Sequence, residues 1–119
     1  MLTQTTAKAF ASEWIEAWNR HDLDRILAHY SDDFEFSSPL IAQIADEPSG
    51  RLRGKKPVGE YWAKALGRIP NLRFKLVSTL WGVSSVVVHY ERHDGRLASE
   101  WFEFGEDGKV IRSAAHYSS

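Results

Sequence analysis

The chain has 119 residues, of which 43% are hydrophobic and 26% are charged, and its net charge is −1. This length suits one domain, predicted to span residues 1–119, and the composition excludes a wholly disordered chain. The 15 basic and 16 acidic residues form no basic stripe, so nucleic acid is not an expected partner.

Several classes of site and location are also disfavoured. Cysteine is absent, which excludes disulfides, thiolate metal sites and cysteine nucleophiles. No apolar run approaches the roughly 20 residues that span a bilayer, and the first residues suit a helix better than a signal peptide. We therefore expect a cytoplasmic protein with no membrane partner. Metal-ligand spacings, phosphate-binding glycine loops and serine nucleophile motifs are missing as well, so neither a metal nor a cofactor is predicted.

Three amphipathic helices are predicted in the first part of the chain. Phe10, Trp14 and Trp18 are spaced four apart, which predicts one face of a helix over about residues 5–19. Asp22 is a suitable N-cap for a second helix over residues 23–30.

A turn, a strand and a long loop are predicted before the third helix. Residues 31–33 suit a turn, and residues 34–37 alternate as a strand that stops before Pro39. Residues 42–54 are interpreted as a loop. Pro57 suits the first turn of a third helix that ends near residue 67.

The remainder of the chain is predicted to form antiparallel strands. Asp94-Gly95 and Asp107-Gly108 are both typical of tight hairpin turns. Helices followed by a meander of strands indicate an α+β fold with the helices on one face of the sheet. The predicted strands cover residues 72–76, 84–92, 97–106 and 109–118.

The second hairpin predicts a register that places a carboxylate inside. If Asp107-Gly108 is a two-residue loop, Glu103 lies opposite Arg112, an opposite-charge pair suited to an exposed face. The other face is largely apolar and should point inward, and it includes Glu100. Its predicted pairs are Phe104 with Ile111, Phe102 with Ser113, Glu100 with Ala115, and Ala98 with Tyr117.

Glu100 is therefore the main catalytic candidate. A buried unpaired carboxylate is costly to desolvate, so a protein tends to protonate it, pair it or use it. Ala115, which lies opposite Glu100, would leave a gap beside the carboxyl. A carboxyl over a gap between aromatic rings suits a general base or acid whose pKa is shifted toward neutrality. The alternative is a structural ion pair with an arginine or with His89.

His89 is the second catalytic candidate, and its orientation depends on the first hairpin. A two-residue loop at Asp94-Gly95 places His89 opposite Glu100, as an inward acid–base dyad. A three-residue loop would turn Val88 inward instead, and the face with Val86, Val88 and Tyr90 is the more apolar one. Both registers remain open at this level.

The order of these elements resembles the SnoaL-like branch of the nuclear transport factor 2-like (NTF2-like) superfamily. The resemblance implies a cone-shaped fold in which three N-terminal helices pack on a curved antiparallel sheet around a pocket. It is carried by WIEAWN (14–19) before DLD (22–24), YSDDFEFSSP (30–39), RGK (53–55) before YW (61–62), and FEF (102–104) before DGKV (107–110).

The same resemblance suggests site positions. Ketosteroid isomerases of this superfamily use a tyrosine on the first helix, an aspartate that ends the first strand and an aspartate in a late strand. The positions that correspond here are Trp14, Ser38 and Glu100. Only Glu100 keeps the carboxyl group that the isomerases have at its position. The isomerase mechanism is therefore not expected in its known form. Cyclases of the SnoaL type use an aspartate or histidine, to which Glu100 and His89 are the nearest equivalents.

Three functional hypotheses follow. The first is a cofactor-independent isomerase, cyclase or dehydratase that acts on a small hydrophobic molecule through Glu100, assisted by His89. Ser38 and Tyr30 would offer hydrogen bonds, and the wall would consist of Trp14, Trp18, Trp62, Phe102 and Tyr117. The second is a binding protein without catalysis. The third is a dimerisation module that pairs through the outer sheet face around Trp101 and His116, as NTF2-like relatives commonly do.

Overall fold

The computed structural model describes residues 2–119. An open, curved sheet of six strands carries helices on its concave face, which confirms the predicted α+β class. In chain order the elements are α1 (Gln4–Asn19), α2 (Leu23–Leu27), β1 (Tyr30–Ser37), α3 (Ile41–Ile44), β2 (Arg51–Arg53), α4 (Lys55–Arg68), β3 (Lys75–Trp81), β4 (Ser85–Glu91), β5 (Leu97–Phe104) and β6 (Val110–Tyr117).

Helix α1 forms where its periodicity predicts it. Thr3 caps the helix, because its hydroxyl accepts the backbone N–H of Thr6 at 3.1 Å and the Thr6 hydroxyl accepts in return. The face with Trp14 and Trp18 is buried against the sheet, with Ala7 and Ala11 beside it. These two alanines let the helix approach the strands closely enough for the indoles to enter the core.

The predicted second helix is too long. Asp22 does cap α2, by accepting the Arg25 N–H at 3.2 Å, but the helix ends at Leu27. Tyr30 begins β1 and pairs with Val110 of β6, and the predicted turn at residues 31–33 lies inside that strand. A register shift between Tyr30 and Glu35 absorbs these residues. Pairing with a distant strand thus overrides the local turn propensity.

The predicted loop over residues 42–54 contains two short elements. The last residues of α3 fall in it, and β2 extends the sheet by pairing with β1, with Leu52 opposite Phe36. A three-residue strand has no sequence signature of its own, because the neighbouring strand defines it. Helix α4 then matches its prediction closely, with Pro57 in its first turn and Val58, Tyr61 and Trp62 buried.

Strand β3 begins later than predicted. Leu72 and Phe74 are buried, but they precede the strand. The side chain of Asn19, at the end of α1, accepts the N–H of Phe74 at 2.7 Å and donates to its carbonyl at 2.9 Å. The Asn19 side chain thereby satisfies the backbone N–H and carbonyl of Phe74, which would otherwise pair with a neighbouring strand.

The sheet order is β2-β1-β6-β5-β4-β3, and β1 runs parallel to β6 while the other neighbours are antiparallel. The predicted all-antiparallel sheet is therefore wrong at this one pair. Helix α1 packs against β3 and α4 against β1. Within residues 2–119, no helix combines the length and apolar character that crossing a membrane requires.

Both hairpin loops contain three residues, which is the alternative length for the first hairpin and one residue more than predicted for the second. The Arg92 N–H donates to the Arg96 carbonyl at 2.7 Å and the Gly105 N–H to the Lys109 carbonyl at 2.8 Å, which leaves three residues in each loop. In each loop the glycine, Gly95 or Gly108, has a positive φ of 83° or 79°. These loop lengths decide which side chains face the interior.

The two loops affect the register differently. Between β5 and β6 a bulge after Glu103 pairs Phe104 with Val110 rather than with the predicted Ile111. The bulge cancels the extra loop residue, so the other predicted pairs, including Glu100 with Ala115, are confirmed. The β4–β5 ladder has no such bulge, so its two-residue register is wrong by one position and the three-residue alternative, with Val88 opposite Glu100, is confirmed.

Candidate functional site

A cavity of about 60 Å³ lies between the helices and the concave face of the sheet. Since one water molecule needs roughly 10–15 Å³ of such space, the enclosed part of the cavity has room for several waters or for part of a small organic molecule. Its wall is aromatic and aliphatic, with few polar groups. It is lined by Trp14, Trp18, Phe36, Leu40, Ile44, Tyr61, Trp62, Ala65, Ile69, Leu72, Phe74, Tyr90, Arg92, Glu100 and Tyr117.

Glu100 supplies the one carboxyl group of this wall. Strand β5 points it inward between Ala115 of β6 and Val88 of β4, and its side chain is only 4% exposed. The methyl group of Ala115 is too short to cover the carboxyl, which therefore borders the open space. The alternation of β5 thus places an acid on the floor of an apolar cavity.

Electrostatics keep this acid largely protonated. The Tyr90 hydroxyl donates to Glu100 Oε1 at 3.2 Å, and no lysine, arginine or histidine among residues 2–119 forms an ion pair with Glu100. The alternative of a structural ion pair is therefore wrong. Burial raises the pKa of Glu100 to about 8, although the hydrogen bond from Tyr90 opposes this rise. At pH 7 the carboxyl is mainly neutral and can donate a hydrogen bond.

His89 does not join Glu100, so the predicted inward dyad is wrong. His89 lies opposite Ser99 on the outer face, where its Nδ1 is 2.9 Å from the Ser99 hydroxyl oxygen. The cause is the three-residue loop, because a shift of one residue moves every side chain of a strand to the other face. Val88 takes the inward place opposite Glu100.

Of the other predicted site residues, Trp14, Trp18, Trp62 and Tyr117 line the cavity. Trp62 packs edge-on against Trp18, with the ring centres 5.3 Å apart. Trp14 stacks on Phe74 at 5.8 Å, a further aromatic residue of the wall. Such pairs hold the rings rigidly, so the shape of the cavity is largely preformed.

Tyr30 and Phe102 form a layer behind this wall. Both are fully buried and neither lines the cavity. The Trp14 indole N–H donates to the Tyr30 hydroxyl oxygen at 3.0 Å, and Phe102 packs edge-on against Trp14 at 5.2 Å. They therefore orient Trp14 rather than touch the open space.

Ser38 also lies behind the wall. Its hydroxyl oxygen accepts the Leu40 N–H at 3.2 Å and is 3.4 Å from the hydroxyl oxygen of Tyr117, which does line the cavity. Ser38 can therefore influence a bound molecule through Tyr117. The resemblance to ketosteroid isomerases implies an aspartate at this position, where this chain has a buried hydroxyl instead.

Sequence reasoning missed Arg92, and it turned Tyr90 inward only in the alternative three-residue register. The two-residue loop register turned Tyr90 outward and left Arg92 as an unremarked residue beside the turn. The available signal was the alternation Val86, Val88, Tyr90, Arg92, in which an apolar face continues into a cation at the end of the strand. In the structure both side chains line the cavity.

A second, larger cavity of about 680 Å³ lies near the start of α1. Its Glu13 is already bonded to Arg25 at 2.7 Å and lies 3.5 Å from His29. The Glu13 carboxylate is thus already paired with a cation, in contrast to Glu100. Across residues 2–119, no group of three or more histidine, aspartate or glutamate side chains is placed to hold a metal ion.

Comparison with known proteins agrees with this architecture. Residues 11–113 match the family model of the SnoaL-like domain. A solved structure of a SnoaL-like protein of unknown function from Burkholderia thailandensis shares 58% identity, with 98% of each chain covered and a TM-score of 0.94. No curated protein matches the sequence.

More distant structures share the fold. One is a protein from Agrobacterium tumefaciens with a provisional assignment as an isomerase of the SnoaL-like family, at 14% identity, 98% and 100% coverage and a TM-score of 0.78. Another is AclR from Streptomyces galilaeus, provisionally assigned as a hydroxylase, at 21% identity, 98% and 91% coverage and a TM-score of 0.75. At these identities the likeness concerns the fold alone.

Proposed function

The chain belongs to the SnoaL-like family, and we propose that it binds a compact, mostly apolar, carbonyl-bearing molecule and uses Glu100 as an acid–base group. The observation that carries this proposal is a buried, unpaired carboxyl at the edge of an aromatic cavity. Burying such a group costs free energy and brings no ion pair in return, which favours a functional role. The family supports a small-molecule-binding domain in general.

The hydrogen bonding of Glu100 suits donation to a ligand. Tyr90 occupies Oε1, whereas Oε2 receives no hydrogen bond from any of residues 2–119. The neutral acid can therefore direct a hydroxyl proton at Oε2 toward a carbonyl oxygen in the cavity. A hydrogen bond from an acid in an apolar setting polarises the carbonyl and stabilises negative charge on its oxygen.

The tyrosines around Glu100 act as donors and not as bases. Burial is the main cause that raises the pKa of Tyr90 and of Tyr117, and the nearby Glu100 carboxylate raises both further. Their phenols therefore stay protonated at neutral pH. Proton transfer in the cavity consequently depends on Glu100.

A single carboxyl is sufficient for one class of reaction. Glu100 donates its proton to the carbonyl oxygen of the ligand, and the carboxylate so formed accepts a proton from the adjacent carbon. The keto and enol forms interconvert in this way, with no net change in the enzyme and no cofactor. Isomerisation, cyclisation and dehydration of carbonyl compounds can all proceed through such an enol.

A second candidate function is binding without catalysis. It is favoured by the wall, which contains no imidazole and no second carboxyl within the described residues, and by the buried hydroxyl at Ser38. Glu100 would then serve as a hydrogen-bond donor for a ligand that leaves unchanged.

Proton exchange on simple ketones separates these functions. Cyclohexanone, acetophenone and 1-indanone are incubated with the protein in deuterated buffer near pH 7, and loss of the α-proton signal is followed by nuclear magnetic resonance. We expect exchange to be accelerated by the wild type and to slow by roughly a hundredfold or more in Glu100→Gln, because the amide cannot transfer the proton.

Glu103→Gln is the matched control, since Glu103 lies on the outer face of the same strand and pairs with Arg112 at 3.5 Å. It should exchange as the wild type does. Tryptophan fluorescence reports binding, because three indoles line the cavity. Binding without accelerated exchange would favour the non-catalytic function, and failure of all three ketones to bind would contradict the proposal.

A further inference from the structure

Arg92 is the one cation in the wall of the cavity. It follows β4 two residues after the inward Tyr90, so the alternation of the strand continues the same face into the loop. Its guanidinium carbon lies over the Tyr117 ring, 4.9 Å from the ring centre. Tyr117 is the last residue of β6, so the two side chains meet where both strands end.

No carboxylate among residues 2–119 lies within 4.0 Å of the Arg92 guanidinium. Asp94, two residues away, makes its direct contacts with Arg96, with Oδ1 accepting the Arg96 N–H at 3.1 Å and Oδ2 lying 4.0 Å from Nε. The Arg96 N–H is the main cause that lowers the pKa of Asp94, and the charge of Arg92 lowers it further without a direct contact. Glu100 forms no ion pair with Arg92 either. None of the guanidinium N–H groups donates a hydrogen bond within the described chain, so their donor capacity is available.

This situation differs from that of the other arginines. Arg68 and Arg73 lack a carboxylate partner but are exposed, and water solvates them. Arg92 is half-buried, which makes an unpaired charge more costly. The remaining arginines each lie within 4.0 Å of a carboxylate: Arg20, Arg25, Arg51, Arg53, Arg96 and Arg112.

From this placement, and building on the proposed function, we infer that Arg92 anchors a carboxylate of the ligand. The molecule that the cavity takes is then a compact cyclic carboxylic acid in its anionic form. The planar guanidinium fork binds a carboxylate through two parallel hydrogen bonds. The apolar wall takes the ring, and Glu100 meets the far polar group. A phosphate dianion is disfavoured, because the cavity offers a single cation and no glycine-rich loop.

The test compares carboxylates with their uncharged amides. Benzoate is paired with benzamide and phenylacetate with phenylacetamide, and binding to the wild type at pH 7 is measured by isothermal titration calorimetry. Because the hydrogen bonds to a charged group are the stronger ones, we expect each carboxylate to bind about tenfold or more tightly than its amide. Arg92→Met should remove this preference and leave amide binding unchanged, since its apolar stem still covers Tyr117.

Two further variants complete the design. Arg92→Lys keeps the charge but loses the fork, and should retain only part of the preference. Arg73→Met removes an exposed arginine outside the cavity and should bind all four probes as the wild type does. Circular dichroism spectra verify that each variant is folded.

Three outcomes would overturn the inference: equal affinity for carboxylate and amide, an equal loss of both in Arg92→Met, or no binding of any probe. Failure here is distinguishable from failure of the proposed function. Amide binding that is independent of Arg92 but changed by Glu100→Gln would refute the carboxylate anchor while supporting the acid–base cavity. Carboxylate binding that depends on Arg92 and not on Glu100 would support the carboxylate anchor and count against the acid–base role of Glu100.

Discussion

Glu100 is the residue with the most unusual chemical environment among the candidate site residues. The carboxyl is buried among aromatic rings, accepts one hydrogen bond from Tyr90 and lacks a cationic partner in the described chain. In water a glutamate carboxyl has a pKa of 4.5 and is ionised above that pH, whereas burial in the fold raises the pKa of Glu100 to about 8. This difference links the protonation of one side chain to the stability of the whole domain.

The pH dependence of stability should therefore depend on Glu100. Between about pH 4.5 and pH 8 the folded state keeps a proton that the unfolded chain has released. The free energy of unfolding thus falls as pH rises through this interval, by a few kcal/mol in total, and levels off above pH 8. Glu100→Gln removes the titration, so it should match the wild type near pH 5 and be more stable at pH 9.

Urea unfolding at several pH values between 5 and 9 measures this effect as the difference between variant and wild type. Taking the difference cancels other titrating groups, such as His29, whose pKa is lowered by burial. Glu103→Gln is again the control. It loses a partly exposed ion pair, with a small effect that should not grow from pH 5 to pH 9. A constant difference between Glu100→Gln and wild type would contradict the assignment.

At the scale of elements, the β4–β5 hairpin decides which residues reach the cavity. Its three-residue loop depends on Gly95, whose φ of 83° is in the left-handed region. A Cβ there would meet nothing closer than 3.9 Å, so any cost of substitution comes from the backbone conformation.

Gly95→Ala should therefore destabilise the protein by about 1 kcal/mol, because an L-residue disfavours this conformation. Gly67→Ala is a matched comparison, since Gly67 lies in α4 with no atom within 4 Å of a new Cβ. There alanine should stabilise the helix by about 0.5 kcal/mol. Chemical denaturation measures both, and a neutral or stabilising Gly95→Ala would show that the loop relaxes to another turn.

At the scale of the whole molecule, the helices cover one face of the sheet and leave the other uncovered. Directly paired residues form an apolar row across four strands of this outer face: Leu80, Val87, Trp101 and Ala114. His116, next to this row, is exposed, and Leu80 is 55% exposed. A contiguous apolar row on an open sheet face is typical of an interface.

We expect this outer face to form a homodimer. Analytical ultracentrifugation at micromolar concentration should give twice the mass of one 13.6 kDa chain. Trp101→Arg should shift the protein toward the monomer, because it buries an unpaired charge in the interface. Ala63→Arg, on the exposed side of α4, should leave the dimer intact. A monomeric wild type at this concentration would remove the basis for the dimer.

The sequence by itself determined the α+β class, the main helices and the inward direction of Glu100. These features follow from local periodicity, from caps such as Asp22, and from the pairing of Glu103 with Arg112, which specifies one register of β5 and β6. Such signals lie in neighbouring residues and repeat along each element, so one wrong turn length does not erase them.

Only the tertiary structure decided the rest of the site. A bulge restored the predicted register between β5 and β6, whereas no bulge compensated the longer loop between β4 and β5. This difference turned His89 outward and brought Tyr90 and Arg92 to the cavity. The parallel pairing of β1 with β6 and the short strand β2 likewise depend on distant partners. Strand faces alternate at every residue, so a single residue of loop length, which packing of the whole sheet selects, determines which side chains the cavity receives.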